Sequence, residues 1–222
     1  MAINLGSFAH THSTPFGSST TATTGSVTTA ASGSTFVICT NTKSQTISSV
    51  TDSKGNTYVQ KASGTLFNTA NIYVCDGGTG GSGHTATLTM SAADSFCFFF
   101  IELTGAANPS VDVTGNGSNN DSGLTTVTGA SVTTTFAPDL ILSLIGCFGS
   151  TATITDSGTG FAFVDKDVTD GVPAGAVSYA IKSATGTYSD TYTQGTGNFN
   201  SFAAVAFKEQ GAGDTLMGQA WM

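Results

Sequence analysis

His10 and His12, in the stretch His10-Thr11-His12, are the first residues along the chain whose type and spacing suit a ligand. Side chains alternate along an extended strand, so both imidazoles fall on one side, the spacing of a metal-binding pair. No third ligand lies near them in sequence, and the competing reading is a pair of surface or interface histidines. The densest oxygen cluster is Asp165-Lys166-Asp167-Val168-Thr169-Asp170-Gly171. Asp165, Asp167 and Asp170 make it a calcium-loop candidate. However, the glycine and third acid are displaced by one position from the EF-hand pattern, and no closing glutamate follows. The alternative is an acidic, solvated hairpin, and neither a metal nor another cofactor is expected from these residues.

Catalysis finds little to work with. Glycoside hydrolysis needs two suitably spaced carboxyl groups, one with a raised pKa. The glutamates are Glu102, closing an apolar run, and Glu209, just after the last one, while the aspartates mostly occupy turns. There is no Gly-x-Ser-x-Gly elbow. His84 opens a strand after a glycine run and reads as a solvated turn residue, so a Ser-His-Asp triad is not expected either. Tyr58, Tyr73, Tyr179, Tyr188 and Tyr192 all lie in strand-like stretches. One or two of them left exposed would suffice to stack on a sugar.

The elements that must position these residues are organised around Val50-Thr51-Asp52-Ser53-Lys54-Gly55-Asn56-Thr57-Tyr58-Val59. Here Asp52 can turn its carboxylate onto backbone N–H groups two residues on, and Gly55 and Asn56 tolerate the positive φ of a hairpin turn. The opening of this motif returns at Ile154-Thr155-Asp156-Ser157-Gly158. Other pairs follow in the same order. Ser131 to Thr135 with Asp139 to Ser143 matches Ser26 to Thr29 with Ser34 to Cys39, and Val177 to Ile181 answers Ile72 to Cys75. Thr187 to Thr193 answers His84 to Met90, and Ala203 to Lys208 answers Cys97 to Glu102.

Short β-prone runs at regular spacing, separated by Gly-rich turns, predict an all-β, antiparallel sandwich built from two repeated half-units. Phe96 to Leu103 is apolar on both faces, so a central strand covered on both sides is expected there. Two tandem sandwiches or one merged sandwich would both fit the duplication. The join at residues 104–129 carries strand-like Ser110-Val111-Asp112-Val113, which favours the merged form. The expected organisation is an arm or edge segment over 1–24, a single sandwich over 25–208 and a C-terminal arm over 209–222. The internal repeat covers about 25–103 and 129–208.

Composition narrows the partners. Only 9% of the 222 residues are charged, against roughly 25% in an average domain. The six basic residues are all lysines and the net charge is −8, which leaves almost nothing to track phosphates. Nucleic acid is not expected as a partner. No run approaches the ~20 apolar residues of a membrane span, and the start lacks the basic and apolar regions of a secretory signal. Cytoplasmic synthesis is therefore expected. Cys39, Cys75, Cys97 and Cys147 sit inside apolar runs and read as buried thiols, with disulfides formed after release as the alternative. Leu216, Met217 and Trp221 lie in a Gly-spaced tail, either a frayed end or an interface arm that finds burial on a neighbour.

The pattern resembles a β-sandwich family found in tailed-phage virion proteins and large bacterial surface proteins. The matching features are Val-Thr-Asp-Ser-x-Gly-Asn-Thr-Tyr at Val50 to Tyr58, Ile-Tyr-Val-Cys at Ile72 to Cys75 and Thr-Ala-Thr-Leu-Thr at Thr85 to Thr89. They continue with Ser131 to Leu142 and close on Ala203 to Lys208. The resemblance covers roughly residues 25–208, rests on turns and central strands, and carries no catalytic motif. It implies a jelly-roll, concanavalin-like, lectin-like module. The expected role is structural: a surface decoration, cement or tail-fibre module of a phage virion. Its expected partners are other virion proteins and its own copies, with a homo-oligomer, preferably a trimer. The alternative is an adhesion or receptor-recognition module binding a cell-surface glycan.

Overall fold

A computed structural model describes residues 1–13, 19–149, 153–156, 160–168 and 173–211. Runs rich in threonine, valine, isoleucine and phenylalanine suit a pleated surface, and the described residues form strands throughout, with no helix. A first unit contains β1 (Asn4–His12), β2 (Ser19–Thr23), β3 (Ser32–Thr42), β4 (Ile47–Asp52), β5 (Val59–Thr65), β6 (Thr69–Thr79), β7 (Ala86–Asp94) and β8 (Phe96–Thr104). A second contains β9 (Ala106–Asn119), β10 (Thr126–Thr128), β11 (Val132–Thr133), β12 (Asp139–Cys147) and β13 (Ile154–Asp156). It continues with β14 (Ala162–Asp167), β15 (Gly175–Lys182), β16 (Thr187–Tyr188), β17 (Thr191–Gln194) and β18 (Asn200–Glu209).

The protein is all-β and built from two similar sheet pairs. In the first unit a five-stranded sheet runs β1-β8-β3-β6-β5 and a smaller one runs β2-β7-β4. The second repeats this as β9-β18-β12-β15-β14, with its small layer in two pieces, β10-β17-β13 and β11-β16. The segment before the first apolar strand and the join between the halves thus take the same place, as edge strands β1 and β9. The interruption between β16 and β17 falls at Asp190, whose buried carboxylate accepts a bond from Ser178 in β15.

Three apolar layers explain why the central strands are hydrophobic on both faces. Along β8, Cys97, Phe99, Ile101 and Leu103 face the other unit, while Phe96, Phe98 and Phe100 face the small sheet of their own. In β12, Leu140, Leu142 and Leu144 join the middle core, and Ile141 and Ile145 pack beneath the second small layer. The period-2 alternation therefore separates two cores instead of a core and solvent. Each fully buried Phe or Leu contributes roughly 1.5–3 kcal/mol, and the middle layer draws on both units.

Polar side chains clamp the two large sheets at one end of this layer. Asn41 Nδ2 donates to the carbonyls of Cys147 (2.9 Å) and Ala174 (2.8 Å). Asn68 Nδ2 donates to Asn41 Oδ1 at 2.7 Å, and Ser201 Oγ donates to the Asn68 carbonyl at 2.9 Å. All of these groups are buried, so each unmade bond would leave a desolvated polar atom.

The Asp52 turn differs from the hairpin expected. β4 belongs to the small sheet and β5 to the large one, so the turn is a corner that carries the chain between layers. Asp52 holds it by accepting from Lys54 N (2.9 Å), Asn56 N (3.1 Å), Asn56 Nδ2 (2.7 Å) and Tyr58 Oη (2.7 Å). Gly55 takes φ +76°, and Asn56 reaches on to the Thr79 backbone.

Candidate functional site

β1 is an edge strand of the first large sheet and β14 an edge strand of the second. The two edges meet. In β1, His12 sits opposite Cys97 of β8, and in β14, Asp167 sits opposite Gly175 of β15. A Cβ on Gly175 would lie 2.8 Å from Cys97 Sγ, so the missing side chain lets β8 and β15 approach. That approach brings His12 to Asp167.

The strand alternation then supplies the second pair. His10 Nδ1 donates to Asp165 Oδ2 at 2.6 Å, and His12 Nδ1 lies 2.7 Å from Asp167 Oδ2. Exposure falls steeply through the group, from 37% for the His10 side chain to 2% for Asp167. One donor atom each from His10, His12 and Asp167 lie within 4.8 Å of one another. The Asp165 hydrogen bond pushes the His10 pKa up; burial opposes it, and the charges of Asp165 and Asp167 reinforce it. Two imidazoles and a carboxylate at this separation can share a proton, a water or a metal ion.

The sequence motifs thus meet across the molecule: the histidine pair and two acids of the calcium-loop candidate form one cluster. The acids face imidazole nitrogens, not an all-oxygen cage. Asp170, the third acid of that candidate, lies outside the described residues, as do Leu216, Met217 and Trp221 of the tail. Spacing alone could not pair His-x-His with Asp-x-Asp, because the contact joins edges more than 150 residues apart. The available signal was their shared i, i+2 pattern.

His84 departs from the solvated turn expected. It is fully buried, with Nε2 3.0 Å from Asp52 Oδ2 and Nδ1 3.0 Å from Thr29 Oγ1. Its ring packs edge-on against Phe36 and Phe100, each with centroids 4.7 Å away. This Asp-His-Thr chain has the order of a nucleophile relay but no access for a substrate, and it fastens the corner.

Glu102 is likewise buried and structural. It accepts from Ala30 N (2.8 Å), Ser34 Oγ (2.7 Å) and Ser7 N (3.2 Å), bolting the polar N-terminal tract onto the end of β8. Glu209 lines a groove of about 460 Å³ with Met1, Phe136, Pro138 and Lys208. Of the five tyrosines none is exposed: Tyr192 is fully buried, and the others are partly covered. Among the described residues the exposed aromatics are Phe8, Phe67 and Phe136. Phe67, at the β5–β6 turn, is the one that gathers other rings, with Phe148 and Phe199 at 5.8 and 4.7 Å and Lys43 over the Phe148 ring. Only tyrosines are expected from the sequence as a sugar platform, so this phenylalanine group was missed.

Comparison with family models, with curated proteins and with solved structures finds no match.

Proposed function

We propose that this chain is a structural module of a phage particle, a surface decoration, cement or fibre unit that acts by being held and holding. The observation that carries the reading is the stack of three apolar cores between four sheet layers, clamped at Asn41, Asn68 and Ser201. Such a stack resists local opening because its central strands are covered on both faces. Its outer sheets present threonine ladders, such as Thr23 to Thr87 and Thr133 to Thr187, in place of charge. The interleaving of first and last strands in each large sheet supports a jelly-roll, concanavalin-like assignment for each unit. The resemblance in the turn and central-strand motifs supports the particle setting. In this reading the chain is not an enzyme, and it works as a homo-oligomer, preferably a trimer, in the virion. Mass spectrometry of gradient-purified particles tests the proposal: the chain is expected at stoichiometric level, and its absence ends the reading.

The second reading is a glycan-binding recognition module, favoured by the exposed Phe67 beside Phe148, Phe199 and Lys43. Aromatic faces stack on sugar rings, and a glycan array should then show binding that Phe67→Ala abolishes.

A further inference from the structure

We propose that His10, His12 and Asp167 bind one divalent transition-metal ion of the zinc class, with Asp165 positioning the His10 ring, and that the ion ties β1 to β14. The donor set selects the ion: imidazole nitrogens suit zinc and its neighbours, whereas calcium and magnesium take oxygen shells. Distance agrees. Bonds of about 2.0–2.2 Å around a tetrahedral ion place donors roughly 3.3–3.6 Å apart. Three donor atoms already within 4.8 Å need only a small side-chain adjustment to reach that spacing.

The contrast between the two His–Asp contacts is the second observation. His10 and Asp165 are aligned as a hydrogen bond, the usual way an outer carboxylate fixes a ligating imidazole. His12 Nδ1 is buried and near Asp167 Oδ2, yet the two are misaligned for a hydrogen bond. Both atoms face one point between the strands, and an ion there would part them from 2.7 Å to the roughly 3.3–3.6 Å of two ligands. Three protein ligands leave a fourth position, on the exposed His10 side, for water or for a group from a neighbouring molecule. The first unit supplies both histidines and the second both acids, so occupancy would couple the two sheet pairs directly. The site does not depend on whether the chain rides on a particle.

The experiment is metal binding by the untagged full chain after chelation. Calorimetry with Zn²⁺, visible spectroscopy with Co²⁺ and thermal melting, each with Ca²⁺ as comparator, give the readouts. Expected are one equivalent of Zn²⁺ bound, a Co²⁺ spectrum of a low-coordinate nitrogen and oxygen site, and a melting temperature raised by Zn²⁺ but not Ca²⁺. His12→Ala should abolish binding, and Asp165→Asn should weaken it about 10- to 100-fold. Circular dichroism checks that the variants fold. If His12→Ala does not fold, the wild-type Co²⁺ spectrum and the exposed His10→Gln decide. No saturable Zn²⁺ uptake by the wild type, uptake unchanged in His10→Gln, or equal competition by Ca²⁺ would each overturn the proposal.

Discussion

The stacked large sheets touch along two outer edges that the repeat makes equivalent: β1 against β14, and β5 against β9. The β5 edge closes on bare backbone. A Cβ on Gly64 would lie 2.1 Å from the Phe202 carbonyl oxygen and 2.7 Å from that of Gly117. The β1 edge closes on two imidazole–carboxylate contacts. One fold thus solves the same packing problem twice, by removing side chains on one side and by pairing ionisable ones on the other. The repeat supplies the frame, and the two edges differ in what fills it.

The comparison breaks most sharply at the glycine edge. Gly64→Val should cost more than about 3 kcal/mol, read as a lower urea midpoint, because the side chain meets backbone that cannot rotate away. Asn41→Ala, at the clamp between the two large sheets, should cost about 2–3 kcal/mol by stranding the Cys147 carbonyl and the Asn68 amide, while the Ala174 carbonyl keeps its bond from Cys147 N. An acid pair that reaches across β18, from Asp112 in β9 to Asp139 at the start of β12, gives a pH-dependent test. Burial and neighbouring Asp112 push the Asp139 carboxyl up from 3.8 to about 7, with Lys208 opposing. A raised carboxyl pKa favours the protonated fold, so this contribution is complete below pH 3.8 and is lost as pH rises to about 7. Asp139→Asn should therefore be more stable than wild type by about 1–3 kcal/mol at pH 8, with the gap closing below about pH 4 in denaturation series. The smallest effect belongs to the exposed end of the histidine edge. Metal-free Asp165→Asn should lose less than about 1 kcal/mol, since solvent screens the His10 contact. A larger loss there would mean that ion pairing itself holds the β1 edge, without a metal.

Much of the architecture was readable because it repeats locally. The echo of Ile154-Thr155-Asp156 on Val50-Thr51-Asp52 reflects β13 taking the place of β4, and the doubly apolar Phe96 to Leu103 lies between two cores. The Asp52 turn residues were legible too, because the carboxylate reaches groups only two to six positions away. What failed was non-local. His84 follows glycines, a solvated context in sequence, but its partners Asp52 and Thr29 arrive from 32 and 55 residues earlier and pull the ring inward. Glu102 closes an apolar strand, and nothing nearby announces that Ser7, Ala30 and Ser34 converge on it. The His10–Asp165 pair is the extreme case: each motif is visible, while the edge it meets is set by how two sheets stack.

The middle apolar layer has an implication for descent. A polypeptide of half this length would leave the inner face of its five-stranded sheet bare to water, and a second copy of itself would be the natural cover. Joining the two copies end to end turns that bimolecular encounter into an internal one, with an effective concentration set by a short tether. The merger also frees each copy to drift, so that imidazoles could accumulate on one and carboxylates on the other, an asymmetry that identical subunits could never hold.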